Sequence, residues 1–168
     1  SMYMFCFYDV TGVPASGVVT TALQNMQFSA PTLEFKENDL VYLTLTNVGL
    51  VNRPDLFDPH SVHFHGFPQA ASIYDGLPES AVVPNPGSSY TYFYKLNDPG
   101  TYLYHCHVEA SEHMQMGMLG NLYVHPKQNG TPYTVGAKTY TKFVYNDGDG
   151  STGYDVEYPI QLATFDGV

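Results

Sequence analysis

The tripeptide His105-Cys106-His107 is the feature that most constrains the fold of this chain. In an extended strand successive side chains point to opposite faces, so the two imidazoles face one way and the thiol faces the other. The four residues before it, 101–104, are β-branched, aromatic or apolar, which favours a strand there. The segment therefore predicts a β-strand that can serve two separate metal sites, one on each face.

A second histidine segment shows the same alternation at residues 60–66, which read HSVHFHG. His63 and His65 share one face of an extended segment, and His60 has the opposite parity. The two segments then sort their side chains into a set of two His, a Cys and a Met and a set of four imidazoles. The first set is His60, Cys106, His113 and Met118, and the second is His63, His65, His105 and His107.

Both sets predict metal binding, and copper fits each of them. Two His, a Cys and a weak axial Met are the ligands of blue-copper electron-transfer sites, and imidazoles alone also suit copper. A zinc site, or histidines that are only packed in a core or exposed, are the alternatives. Six of the seven His lie at these two places, with Cys and Met at ligand-like spacing, which favours metal binding.

The two motifs are HxxHxHG at residues 60–66 and HCH, followed by HxxxGM, at residues 105–107 and 113–118. They resemble the copper motifs of multicopper oxidases, the family that includes laccases. The resemblance implies that type 1 copper binds to His60, Cys106, His113 and Met118. It also implies a half-site in which His63 serves type 2 copper and the type 3 pair takes His65, His105 and His107.

One position departs from the family pattern. The family usually places its second type 1 His five residues after the Cys, where this chain has Ser111, and His113 follows two residues later. The spacing from His113 to Met118 is that of the family, so we interpret residues 108–112 as a loop with a two-residue insertion. Met118 carries the motif, while core or rim packing is the alternative role for Met114 and Met116.

The resemblance covers residues 3–126 and extends past the ligands. In the family, an acidic residue in an Asp-Gly context after HxHG lies near the trinuclear cluster and assists proton delivery to oxygen. Residues 66–78 contain such a context, so the resemblance implies a catalytic role for Asp75. An Asp before a Gly is also common in turns, and a simple turn stays open as the alternative.

The strand pattern predicts an all-β fold, a β-sandwich, and the resemblance makes it a Greek-key cupredoxin domain. Aromatic and β-branched runs alternate with Gly, Pro, Asn and Asp clusters, and no segment has a long helical period. The predicted strands are residues 2–8, 32–36, 40–47, 60–65, 89–95, 101–107 and 118–124. No apolar run approaches the length of a membrane span.

The end of the chain reads differently from the rest. We expect a cupredoxin domain at residues 1–126, then a linker and the first strand of a truncated following domain at residues 127–168. Residues 127–138 are polar with Gly and Pro, and residues 140–145 and 154–162 have strand patterns. An unpaired strand tends to pair elsewhere, so we expect residues 154–162 to join their own sandwich or a neighbouring copy.

Together these features predict an oxidase domain that passes electrons from type 1 copper to a type 2/type 3 cluster, where oxygen is reduced to water. The chain supplies four of the eight imidazoles of the family cluster, so the isolated chain should be a weak or inactive oxidase. A missing second domain or a homo-oligomer would supply the rest. A single-domain blue-copper electron-transfer protein and a copper nitrite reductase-like domain are the alternatives, and His107 counts against both.

Charge and family context bound the partners. The net charge is −10 with only six Lys and Arg, which argues against nucleic acid and against anionic membrane surfaces. The expected partners are oxygen and a small-molecule or metal-ion electron donor. No signal peptide is visible, and the resemblance implies a periplasmic or extracellular location.

Overall fold

The computed structural model describes residues 4–25, 27, 29–49, 53, 55–67 and 71–166. This part of the chain contains eight β-strands, two short α-helices and two 3-10 turns. The strands are β1 (Leu33–Lys36), β2 (Leu40–Thr46), β3 (His63–Phe64), β4 (Ser89–Lys95), β5 (Gly100–His105), β6 (Leu119–His125), β7 (Tyr133–Val135) and β8 (Lys138–Tyr140). The helices are α1 (Val18–Gln24) and α2 (Ala110–Gln115), and the 3-10 turns are Ala15–Gly17 and Ser72–Tyr74.

The strands form two sheets around one core, and a separate hairpin. The first sheet has the order β1-β6-β5-β3, in which β1 is parallel to β6 and the other neighbours are antiparallel. In the second sheet β2 pairs antiparallel with β4, from Leu40 opposite Lys95 to Thr46 opposite Ser89. β7 and β8 form the hairpin. Because buried side chains of both sheets belong to one hydrophobic cluster, the predicted all-β sandwich is confirmed.

Strand β4 shows how the alternation of its residues stabilises the sandwich. Tyr92 and Tyr94 are 0% and 1% exposed in the core, whereas Thr91 and Lys95 are exposed. The Tyr94 ring stacks on Phe64 of the opposite sheet with ring centroids 4.1 Å apart. Burial of a large apolar side chain stabilises a fold by about 1.5–3 kcal/mol. The core is therefore firm directly behind the histidine segment.

Most predicted strands agree with the structure, and the histidine segments differ. The predictions at 32–36, 40–47, 89–95 and 118–124 agree with β1, β2, β4 and β6 to within one residue. Of residues 60–65, only His63–Phe64 pairs as a strand, with β5. The strand predicted at 101–107 ends at His105, because the chain turns there towards helix α2.

The predicted strand at residues 2–8 is wrong for the part that the structure describes. Residues 4–8 form no strand, and residues 2 and 3 lie outside the described residues. The apolar side chains of this segment pack instead of pairing: Phe7 is buried in the core and Phe5 packs against it. Residues 68 and 69, part of the family-like segment after HxHG, also lie outside the described residues.

The region predicted as a linker contains ordered structure. Hairpin strand β7 lies inside residues 127–138, and the Glu37 carboxylate ties this region to the end of β1. Glu37 Oε2 accepts hydrogen bonds from Lys127 N at 3.0 Å and from Asn146 Nδ2 at 2.6 Å. Of residues 140–145, only Tyr140 belongs to a strand, and Phe143 makes an isolated bridge with Gly153.

Residues 154–162 form no strand in the structure. Pro159 lacks an N–H donor, which disfavours a regular ladder through this segment. Val156 and Tyr158 are both 82% exposed, so the apolar side chains of the segment are largely uncovered. The segment does not join its own sandwich as a strand, and its pairing with a neighbouring copy stays a prediction, as does the following domain.

The two helices are short, in agreement with the lack of a long helical period in the sequence. Helix α1 has seven residues and α2 has six. Among the described residues, no helix has the length and apolar character needed to cross a membrane.

Candidate metal centre

The first cluster joins His60, Cys106 and His113. Their candidate ligand atoms all lie within 4.8 Å of one another. His113 Nδ1 is 3.3 Å and His60 Nδ1 is 3.8 Å from Cys106 Sγ, and the three residues are between 0% and 8% exposed. His60 precedes β3, Cys106 follows β5 directly, and His113 lies in α2. Three separate elements therefore meet at one buried point.

Met118 lies beside this cluster, directly before β6. Its N–H donates to the His113 carbonyl at 3.0 Å, and its own carbonyl accepts from Cys106 N–H at 3.2 Å. The Met118 side chain is 2% exposed and lines an apolar cavity together with His60. Met116 is also buried and Met114 is half-buried. The backbone hydrogen bonds thus bring the predicted fourth residue to the other three.

An apolar ring and a backbone donor surround the thiol of Cys106. The Phe5 ring lies edge-on to the His60 and His113 rings, with centroids 4.9 and 5.0 Å apart. Ser61 N–H donates to Cys106 Sγ at 3.4 Å. Apolar shells control solvent access to metal sites, and hydrogen bonds to a ligating sulfur tune the reduction potential.

Burial sets the protonation of this cluster. Burial, and then the neighbouring His113, lowers the pKa of His60 to about 3. Burial also lowers the pKa of His113, so both rings are neutral at neutral pH and keep a free lone pair. Burial raises the pKa of the Cys106 thiol, so a thiolate here needs a bound cation to offset its desolvation. Two imidazoles, a thiolate and the Met118 thioether fit copper.

The metal-free chain should lose stability as the pH falls from 6.5 towards 4. The folded state keeps His60 unprotonated, while the unfolded chain takes up a proton near pH 6.5, so the unfolded state binds more protons throughout this window. The free energy of unfolding should then fall by about 1.4 kcal/mol per pH unit because of His60. Denaturant unfolding at pH 6 and pH 5 measures this slope. His60→Gln should make the slope shallower by that amount, and an unchanged slope would contradict the assignment.

A second cluster gathers the imidazoles of the other predicted set. The candidate ligand atoms of His63, His65 and His105 lie within 4.8 Å of one another. His65 Nε2 and His105 Nε2 are 2.9 Å apart, a separation that suits two neighbouring ligands of one ion with metal–nitrogen bonds of about 2.0–2.1 Å. The His107 ring joins them, with its centroid 5.2 Å from that of His63 and 5.5 Å from that of His105.

Backbone carbonyls orient two of these rings. His105 Nδ1–H donates to the Cys106 carbonyl at 2.7 Å, and His63 Nδ1–H donates to the Asp75 carbonyl at 2.5 Å. These tautomers follow from the acceptors, because a carbonyl oxygen can only accept, and they leave Nε2 as the ligand atom of each ring. Burial lowers the pKa of His105 to about 4, although the Cys106 carbonyl raises it, and burial also lowers the pKa of His65. Neutral imidazoles therefore line the second cluster.

Asp75 lies at the edge of the second cluster, in a turn that presses against the histidine segment. Its Oδ1 is 3.4 Å from His63 Nδ1, and its side chain is 36% exposed. The next residue, Gly76, has φ +78°, and a Cβ there would lie 2.2 Å from the Val62 carbonyl oxygen. Glycine is therefore required for this approach, and the approach brings the Asp75 carboxylate to the imidazoles.

Two acidic residues beside the first cluster were not predicted from the sequence. Asp58, Glu109 and His113 form a third group with candidate ligand atoms within 4.8 Å of one another. Glu109 Oε2 is 3.9 Å from His113 Nε2, an arrangement that favours the proton on Nε2 and leaves Nδ1 facing Cys106. Glu109 lies within the Cys-to-His loop and Asp58 two residues before His60, but only the folded loop brings them together.

Comparison with known proteins identifies the family. The family model described as multicopper oxidase matches residues 9–129. Multicopper oxidase MCE of Talaromyces pinophilus is 35% identical over 114 residues, which cover 66% of this chain and 17% of that protein. Laccase 1 of Metarhizium acridum is 31% identical over 122 residues, which cover 71% of this chain and 18% of that protein. The chain thus spans less than a fifth of the length of these curated relatives.

Solved structures lead to the same family. The multicopper oxidase mgLAC is 37% identical, with a TM-score of 0.52, over 59% of this chain and 30% of that one. The blue copper oxidase from Nitrosomonas europaea is 38% identical, with a TM-score of 0.51, over 58% of this chain and 30% of that one. The β-sandwich is therefore of the predicted cupredoxin type, and the chain belongs to the multicopper oxidase family.

Proposed function

We propose that this chain is the copper-binding domain of a multicopper oxidase, an oxidoreductase with oxygen as its acceptor when complete. One observation carries the proposal: the Cys106 thiol belongs to the first cluster, while His105 and His107 on either side of it belong to the second. The type 1 copper ligands would be His60, Cys106, His113 and Met118. The half-site would consist of His63 for type 2 copper and His65, His105 and His107 for type 3 copper.

The residues around Cys106 connect the two clusters. Bound copper supplies the one-electron redox chemistry and the activation of oxygen. Cys106 is joined to His105 and His107 through the backbone, and its carbonyl also accepts a hydrogen bond from His105 Nδ1 at 2.7 Å. The chain thus offers an electron a short route from the thiolate to the imidazoles, partly covalent and partly hydrogen-bonded. The Phe5 ring against His60 and His113 would keep water from the thiolate.

Reduction of oxygen to water consumes protons, and Asp75 is placed to hold one. Its carboxylate lies 3.4 Å from His63 Nδ1 and is partly exposed, so it can exchange protons with solvent. The Asp75 backbone carbonyl orients the His63 ring at the same time. We therefore assign Asp75 the role of a proton-holding group at the edge of the imidazole cluster.

The oxygen-reducing site would be completed by imidazoles from outside this chain. The family resemblance implies eight imidazoles, of which four are present. The other four would come from a further domain of the same protein or from a neighbouring copy. Ile160 and Leu162 are 69% and 88% exposed and line a groove together with His65. An uncovered apolar strip therefore continues from the open half-site towards the end of the chain.

A copper titration of the chain tests the proposal. We expect the first equivalent to produce blue absorption and further copper to bind without adding to it, at the imidazole cluster. A titration that ends at one blue copper per chain would favour a single-domain electron-transfer protein. The absence of any blue species would contradict the type 1 assignment. Oxygen uptake by the complete protein, with phenols and with reduced metal ions as donors, would identify the donor class, and secretion assays would test the periplasmic or extracellular location.

A further inference from the structure

A two-residue link separates the proposed ligands of the two copper centres. Ser61 and Val62 are the only residues between His60 of the first cluster and His63 of the second. Both are fully enclosed, with 0% and 2% exposure. A displacement of this link must therefore move His60, His63 or both.

Ser61 already joins the link to the strand that carries the thiolate. Its N–H donates to Cys106 Sγ at 3.4 Å, and its hydroxyl oxygen accepts from His107 N–H at 3.0 Å. One residue of the link thus contacts the backbone of a proposed type 3 ligand and the sulfur of the proposed type 1 ligand. The hydrogen bond to sulfur depends on where the link lies.

Two buried tyrosines of β4 hold the other residue of the link. Val62 N–H donates to the Tyr92 hydroxyl oxygen at 3.2 Å, and the Tyr94 hydroxyl donates to the Val62 carbonyl at 3.0 Å. The Tyr92 hydroxyl in turn donates to the Val82 carbonyl at 3.5 Å. Both polar groups of the Val62 backbone therefore find their partners in side chains of the opposite sheet.

The two tyrosines are themselves firmly held. Their rings stack on each other with centroids 6.3 Å apart, and Tyr94 also stacks on Phe64, the residue between His63 and His65. Burial raises the pKa of Tyr92 to about 12 and that of Tyr94 further, so both hydroxyls stay protonated. Removal of either hydroxyl would leave a buried backbone group of Val62 without this partner, and such groups are costly.

We propose that Tyr92 and Tyr94 are positioning residues that hold the Val62 backbone and so fix His60 and His63 relative to each other. This inference rests on the proposed function for its copper readouts. The tyrosines act through the link and do not themselves bind the metal. Without the clamp the link shifts, the Ser61 N–H contact to sulfur weakens, and the imidazole cluster loses its alignment.

Single substitutions to phenylalanine test the clamp because they remove only a hydroxyl. In Tyr92→Phe and Tyr94→Phe we expect copper affinity at the imidazole cluster to fall about tenfold, in line with other outer-shell partners of metal ligands. The reduction potential of the blue copper should fall, because a thiolate with fewer donors stabilises Cu(II). Tyr90→Phe is the matched control, since its hydroxyl donates to the Ile73 carbonyl, away from the link. A wild-type potential and affinity in both test variants would overturn the inference.

Amide hydrogen exchange of Val62 in the metal-free chain provides a readout without copper. Slow exchange in the wild type, faster exchange in Tyr92→Phe and no change in Tyr90→Phe would support the clamp. Fast exchange in the wild type would overturn it even if a tyrosine variant failed to fold. A wild-type chain that binds no blue copper but shows the expected exchange pattern would refute the proposed function and leave the clamp on the link standing.

Discussion

Cys106→Ser should abolish the blue absorption of the copper-loaded chain completely. This absorption comes from the bond between copper and a thiolate, and Cys106 is the only thiol that the described residues bring to His60 and His113. Serine keeps nearly the same size but offers a hydroxyl that stays protonated at neutral pH. Titration of the variant with copper, followed by absorption spectroscopy, measures the effect.

The second free cysteine provides the control for this experiment. Cys6 is half-buried and lies outside the metal clusters of the described residues. Cys6→Ser should therefore keep a blue species of wild-type intensity. A blue band that survives in Cys106→Ser, or that disappears in Cys6→Ser, would contradict the assignment of the thiolate.

His63→Ala and His107→Ala should separate the two proposed centres. Both rings lie in the second cluster and neither ring contacts Cys106 Sγ in the structure, so the blue species should remain. Oxygen reduction by the complete assembly should fall at least about a hundredfold, because each variant removes a direct ligand and even outer-shell partners are worth about 10–100-fold. Oxygen uptake and absorption, measured on the same samples, test both halves of this expectation.

His125→Ala is the matched control for these two variants. His125 ends β6 and its Nε2 lies 3.5 Å from Glu34, away from the clusters formed by the described residues. We expect this variant to keep both the blue absorption and oxygen reduction. Loss of the blue species in both His63→Ala and His107→Ala would show that the two sets of side chains are sorted wrongly.

Alternation of side chains made much of the candidate site predictable. Cys106 flanked by His105 and His107 requires opposite faces in any extended backbone, and the structure keeps the thiol and the imidazoles in separate clusters. Strand β4 was predicted with its observed bounds, because its buried and exposed residues alternate regularly. The prediction was less accurate at residues 60–65, where loop backbone carries His60 and only two residues pair.

Contacts between distant segments could not be predicted in this way. The convergence of Asp58 and Glu109 on His113 depends on the path of a loop, and the hydrogen bonds of Tyr92 and Tyr94 to Val62 join strands of opposite sheets. The strand pattern at residues 154–162 also misled, because alternation shows which faces a strand would have but not whether a neighbouring strand exists.

The sequence by itself determined which residues can bind metal and into which two sets they sort, because residue type and parity are local properties. It also determined the β-sandwich, since short alternating strands can bury their apolar faces only against another sheet. The tertiary structure alone decided the distances that make the first set a buried cluster, the backbone carbonyls that orient His63 and His105, and the clamp on Val62. These depend on side chains far apart along the chain, whose meeting is governed by the packing of the two sheets.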